Sequence, residues 1–66
     1  MLKTILDNYV NGNHTDAKKQ AARYSEERLR VYMVLNCGYS SGKAANIAAY
    51  LKGNGTLEAC GPFGRV

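Results

Sequence analysis

Apolar residues recur at helical spacing in four separate stretches of the chain. In the first stretch, they occupy positions i, i+3, i+4, i+7 and i+8, and these residues are Leu2, Ile5, Leu6, Tyr9 and Val10. That spacing places them along one side of an α-helix. Asn11-Gly12 follows, and glycine accepts the left-handed conformation that ends many helices. The pattern therefore predicts an amphipathic helix from about residue 2 to residue 11.

The second stretch, HTDAKKQAARYS, combines a stripe of small residues with a basic outer side. Thr15 and Asp16 are residue types that accept the free amides at a helix start. The apolar stripe consists of Ala17, Ala21 and Tyr24. The remaining sides carry three basic residues, Lys18, Lys19 and Arg23. The small stripe predicts close approach to a neighbouring helix.

The third stretch predicts a helix over residues 26–36. Ser25 is a good cap, and Glu26 and Glu27 occupy the first turn, where the helix dipole favours negative charge. The run VYMVL, residues 31–35, is apolar on all sides. We therefore expect this helix to be the buried centre onto which the other helices pack.

The fourth stretch predicts a helix over about residues 41–52, capped by Ser40 or Ser41 and ended by Gly53. Its apolar side consists of Ala44, Ile47, Ala48 and Leu51. Thr56 can cap one further turn, and Gly61-Pro62 stops its continuation. The predicted fold is a single all-α domain over residues 1–66, a compact bundle of four short helices with room for an extra C-terminal helical turn.

Length and charge restrict the classes of function. The chain has 66 residues, of which 45% are hydrophobic, enough for one small folded domain. A net charge of +4 favours an acidic partner, either nucleic acid or an acidic protein surface. No apolar stretch approaches the roughly 20 residues of a membrane span, and there is no signal-peptide pattern. We therefore expect a cytoplasmic protein with no membrane partner, in which Cys37 and Cys60 are free thiols.

No motif for catalysis, cofactor binding or metal binding is complete. The segment GYSSGKA departs from the phosphate-binding loop, because only three residues separate Gly38 from Gly42 and Ala44 replaces the hydroxyl residue. His14 and the two cysteines lack ligand-pair spacing. The sequence predicts a protein that is not an enzyme and has no cofactor and no metal.

Partner-binding residues are expected among amphipathic aromatic and basic side chains. The first candidates are Tyr39, Lys43, Phe63 and Arg65, followed by Lys18, Lys19 and Arg23. The alternative is a small DNA-binding regulator that uses a helix-turn-helix-like pair over residues 26–36 and 41–52. In that interpretation, Ser40, Ser41, Lys43 and Asn46 face outward to the DNA. A homo-oligomer is a third hypothesis.

Two resemblances add to this interpretation. The segment CGYSSGKAANIAAYLKGNGTLEA resembles the ubiquitin-associated domain, with Cys37-Gly38-Tyr39 in the place of a Met-Gly-Phe/Tyr-like loop, then an alanine-rich helix and an asparagine-containing turn. Cys37 departs from the usual methionine, and the resemblance implies a three-helix packing. The whole chain, with its opening ILDNYVNGNHTDAKKQAARYS, resembles small accessory proteins of tailed bacteriophages in general texture. That similarity implies a protein that binds and modulates, or inhibits, a host protein in the host cell cytoplasm.

Overall fold

Five α-helices follow one another in residues 2–60, the part of the chain that this computed structural model describes. They are α1 (Leu2–Val10), α2 (His14–Ala21), α3 (Glu26–Asn36), α4 (Ser41–Leu51) and α5 (Leu57–Cys60). Residues 2–60 contain no strand, so the all-α prediction and the extra C-terminal turn are both confirmed. None of the five helices has the length and apolar character needed to cross a membrane.

Three helices begin with the hydroxyl cap that the sequence predicts. The Oγ of Ser25 accepts the amide N–H of Arg28 at 3.1 Å, and the Oγ of Ser40 accepts that of Lys43 at 3.2 Å. At the last turn, the Oγ1 of Thr56 accepts the amide N–H of Ala59 at 3.4 Å. Of the two serines proposed for α4, Ser40 is the cap and Ser41 is the first helical residue.

The prediction that Thr15 or Asp16 caps α2 is wrong. The helix begins at His14, and its cap position is held by Asn13, whose side chain makes no capping hydrogen bond. The turn after α1 sets this start, because the amide N–H of Asn13 donates to the carbonyl of Asn8 at 2.8 Å. Asp16 therefore lies inside the first turn, where its charge still suits the helix dipole.

Helix α4, and not α3, occupies the centre of the fold. It packs against α2, α3 and α5, and its buried side chains are Ala44, Ile47, Ala48 and Leu51. The prediction that α3 is the central buried helix is wrong. Only Leu29 and Met33 of α3 are buried, whereas Val31 is 38% exposed and Leu35 is 75% exposed. Small alanines on α4 allow neighbouring helices to approach it closely from several sides.

The connection from α3 to α4 sends an aromatic ring into the core. Gly38 has a φ of 74°, a left-handed conformation that non-glycine residues seldom adopt. The next residue, Tyr39, donates its amide N–H to the carbonyl of Met33 at 3.4 Å. Its side chain is only 6% exposed and belongs to the hydrophobic core. This glycine therefore ends α3 and turns Tyr39 inward.

Candidate functional site

A groove lies between the outer side of α3 and the start of α1, with a volume of about 530 Å³. We call it the α3 groove, and its lining residues are Leu2, Ser25, Glu27, Arg28, Val31, Tyr32, Leu35 and Asn36. Leu2 and Tyr32 also pack against the hydrophobic core and are partly buried. The groove thus has an apolar base that packs on the core, and Val31 and Leu35 add two exposed aliphatic side chains to it.

The geometry of a helix explains why α3 presents aliphatic side chains to the outside. Residues two positions apart on an α-helix point about 200° apart. Because Leu29 and Met33 face the core, Val31 between them faces outward. Leu35 follows Val31 by one turn and lies on the same outer side. A run of five apolar residues cannot all face one core, and here three of them, Val31, Tyr32 and Leu35, line the groove.

The charges of the groove lie at one end of α3. Glu27 is in the first turn and Arg28 follows it, while residues 31–36 carry no charge. The guanidinium of Arg28 lies 5.7 Å from the ring centroid of Tyr24. Within residues 2–60 the only ion pair joins Lys3 Nζ to Asp7 Oδ2 at 3.1 Å, so neither Glu27 nor Arg28 has a charged partner there. The C-terminal half of the groove is uncharged.

The predicted basic residues are exposed on α2 and in the turn that follows it, and one of them makes an aromatic contact. Lys18, Lys19 and Arg23 are all exposed. The Nζ of Lys18 lies 4.4 Å from the ring centroid of Tyr50 near the end of α4. Lys19 and Arg23 are exposed, so an acidic group in solution can reach them. None of the three lines the α3 groove.

The remaining predicted partner residues lie elsewhere. Tyr39 lies in the core and is only 6% exposed, directly after the left-handed Gly38. Lys43 is partly buried, with its Nζ 5.5 Å from the ring centroid of Tyr39. Phe63 and Arg65 lie outside the described residues. Lys43 thus contacts Tyr39 at the start of α4, whereas Lys18 contacts Tyr50 near its end, so the predicted residues within 2–60 do not form one group.

An aromatic cluster joins α1, α2 and α4. The ring of His14 stacks on Tyr9, with centroids 5.3 Å apart and planes at 17°. Its Nδ1 shares a hydrogen bond of 3.0 Å with the hydroxyl of Tyr50. Burial raises the pKa of Tyr9 well above its ordinary value, and the nearby thiol of Cys60 adds to that rise. The ring of His14 is therefore part of the packing between these helices.

Both cysteines are free, as expected. Cys60 is buried and Cys37 is exposed at the end of α3. Partial burial of the thiol and the nearby carboxylate of Asp7 both raise the pKa of Cys37. The described residues contain no group of three metal-ligating side chains.

Two polar side chains, Asn46 in α4 and Lys52 at its C-terminal cap, donate hydrogen bonds to backbone carbonyls of neighbouring segments. The Nζ of Lys52 donates to the carbonyls of Ala21 at 3.3 Å and Tyr24 at 2.8 Å, and so caps the end of α2. Asn46, a candidate DNA contact, donates from Nδ2 to the carbonyl of Ala59 at 3.0 Å. The Lys52 contact joins residues about thirty positions apart, and no local pattern indicates it.

Comparison with known proteins finds no similar protein. No protein-family model matches the chain, and no curated protein or solved structure is significantly similar to it. Neither the likeness to the ubiquitin-associated domain nor that to phage accessory proteins is tested by this result. The function of the chain has to be inferred from the surface that its fold creates.

Proposed function

We propose that the chain is a non-catalytic binding domain that contacts a partner protein through the α3 groove. One observation carries this proposal: Val31 and Leu35 lie one turn apart on the side of α3 that faces away from the core. Single exposed aliphatic residues are ordinary, but a contiguous apolar patch with a polar rim is typical of an interaction site. Glu27, Arg28 and Asn36 supply that rim.

The identity of the partner as a host protein rests on the sequence. The resemblance of the chain to phage accessory proteins supports a chain that binds and modulates a host protein in the host cytoplasm. The net charge of +4 supports an acidic partner, because opposite charges accelerate the encounter of two proteins. In this proposal, long-range electrostatic attraction of the partner comes from Lys18, Lys19 and Arg23. The α3 groove then makes the direct contact.

The DNA-binding alternative has less support from the geometry. A recognition helix has to enter the major groove with several exposed side chains. Helix α4 exposes only Ser41, Gly42 and Asn46, because α2, α3 and α5 cover the rest of it. Asn46 is already engaged with Ala59. The proposal therefore places the working surface on α3.

A comparison of two surface variants tests the proposal. Leu35→Ser removes the most exposed aliphatic side chain of the groove, and Val10→Ser removes an aliphatic side chain that is 43% exposed on α1 and does not line the groove. Circular dichroism first establishes that both variants are folded. We expect the wild type and Val10→Ser to capture the same host protein by affinity purification, and Leu35→Ser to lose it. The captured protein is then purified and titrated against all three chains.

Two results would overturn this proposal. The first is an unchanged affinity of Leu35→Ser for the purified partner. The second is tight binding of the wild type to random duplex DNA that weakens steeply with added salt and is lost in Lys43→Glu. Steep salt dependence reports release of counterions from phosphates, so this result would favour the DNA-binding regulator.

A further inference from the structure

We infer that the α3 groove receives a short amphipathic α-helix of another protein, with two apolar side chains one turn apart and a net negative charge. This inference rests on the proposed protein-binding function and gives the partner a definite shape and charge. The helical shape of the partner follows from the spacing of Val31 and Leu35. Its negative charge follows from Arg28 and from the amide groups at the start of α1.

The spacing of the exposed side chains suits a helical ligand. Arg28, Val31 and Leu35 lie along one side of α3 over two turns, or about 10 Å at 1.5 Å per residue. A partner helix with apolar residues at i and i+4 repeats the same spacing, so its side chains can fit between those of α3. Leu2 and Tyr32 give these side chains an apolar surface to contact.

The area of the groove disfavours a second copy of this chain as the occupant. A stable dimer buries about 800 Å² on each partner, which is about one fifth of the 3999 Å² that this chain exposes. The groove has eight lining residues, and Leu2 and Tyr32 among them are already partly buried. Two copies would also bring a charge of +4 each into proximity. A helix of two or three turns needs less area and avoids this repulsion.

The charge of the groove favours an acidic ligand. Arg28 lines the groove without an ion-pair partner in residues 2–60. Leu2 lies at the start of α1, and the first turn of α1 contains no acidic residue, so its amide groups favour an anion. Glu27 also lines the groove, and the positive end of the α3 dipole offsets part of its charge. Acidic side chains on the partner helix can therefore approach Arg28 and the start of α1.

Three synthetic peptides of equal length test this inference against the full chain. Each is held helical by a lactam bridge on its outer side. The first has leucines at i and i+4 flanked by glutamates, the second replaces these glutamates with lysines, and the third replaces the leucines with serines. Binding is measured by titration of the ¹⁵N-labelled chain, which reports both affinity and the amides that shift.

We expect the acidic leucine peptide to bind best and to shift amides of α3 and the start of α1. Leu35→Ser should weaken this peptide by about tenfold or more, because a buried leucine contributes about 1.5–3 kcal/mol. Arg28→Gln should weaken it by about twofold to fivefold, as for an exposed ion pair. Val10→Ser, the matched control, should leave the affinity unchanged.

Equal binding of the basic peptide, shifts outside the groove, or Leu35-dependent self-association in sedimentation equilibrium would each overturn the inference. If the acidic peptide fails but a purified host protein still binds through Leu35, the occupant is another kind of protein surface and the proposed function stands. If both fail, the proposed function fails too.

Discussion

Helices α3 and α4 have 11 residues each and pack against one another, but only α4 lies in the interior. Helix α3 has the larger aliphatic side chains in its run VYMVL, whereas α4 has four alanines. Four residues of α4 are buried and only two of α3. Large apolar side chains alone therefore did not determine which helix became the centre.

The size of the side chains explains this difference. A helix can be covered from several sides only if its neighbours come close to its backbone, and alanine permits that approach. Ala44 and Ala48 of α4 are both fully buried, as are Ala17 and Ala21 of α2. On α3, by contrast, Val31 is 38% exposed and Leu35 is 75% exposed. In the proposed function, these two exposed apolar side chains of α3 contact the partner.

The same substitution on the two helices should give the largest difference in stability. Leu51 on α4 is 2% exposed and Leu35 on α3 is 75% exposed. We expect Leu51→Ala to lower the free energy of unfolding by about 2–4 kcal/mol, because it removes buried contacts and leaves a cavity. Leu35→Ala should change it by less than about 0.5 kcal/mol. Urea denaturation followed by circular dichroism measures both.

Similar losses for Leu51→Ala and Leu35→Ala would contradict the assignment of α4 to the interior. They would also mean that Leu35 is covered by the protein itself, which would remove the basis of the α3 groove as a binding site.

Local signals in the sequence were sufficient to predict the helices. Ser25 and Thr56 were identified as caps because capping depends on residues within one turn. Gly53 was identified as the end of α4 for the same reason. The start of α2 was misplaced because it depends on the hydrogen bond between Asn13 and Asn8 across the preceding turn.

The candidate site was less predictable, since it depends on contacts between distant residues. The loop position of Tyr39 does not indicate whether its ring is buried, because burial depends on how the chain turns at Gly38. Val31 and Leu35 were expected inside because the interior position of α4 cannot be read from α3 alone. One signal was present in the sequence: five consecutive apolar residues on a helix leave at least one pointing away from any single core.

The junction between α3 and α4 offers a second, smaller test. Gly38 has a φ of 74°, whereas Gly42 is inside α4, has no positive φ and has no atom within 4 Å of where a methyl group would lie. We expect Gly38→Ala to destabilise the chain by about 1–2 kcal/mol, because a side chain strains the left-handed conformation. Gly42→Ala, the control, should be neutral or stabilising, since alanine is the better helix former. Thermal unfolding compares them, and equal effects of the two changes would show that Gly38 does not direct Tyr39 into the core.

Alkaline titration gives the smallest effect and reports on the α1 side of the interior. Burial raises the pKa of Tyr9 in the folded chain, whereas an unfolded tyrosine has a pKa of about 10. Well below a pH of about 10 both states keep the proton, so the stabilising contribution of the neutral phenol is fully present. As the pH rises through the unfolded pKa, the unfolded state loses its proton first, and this contribution falls progressively until the folded pKa is passed.

The expected result is a steeper loss of unfolding free energy between about pH 9 and pH 11 in the wild type than in Tyr9→Phe, measured by urea denaturation at each pH. Lysines and the other tyrosines titrate in both chains, so only the difference between the two slopes reports on Tyr9. Parallel slopes would mean that water reaches the phenol of Tyr9. The cluster of Tyr9, His14 and Tyr50 would then be as open as the outer side of α3, and the contrast between the two sides of the molecule would fail.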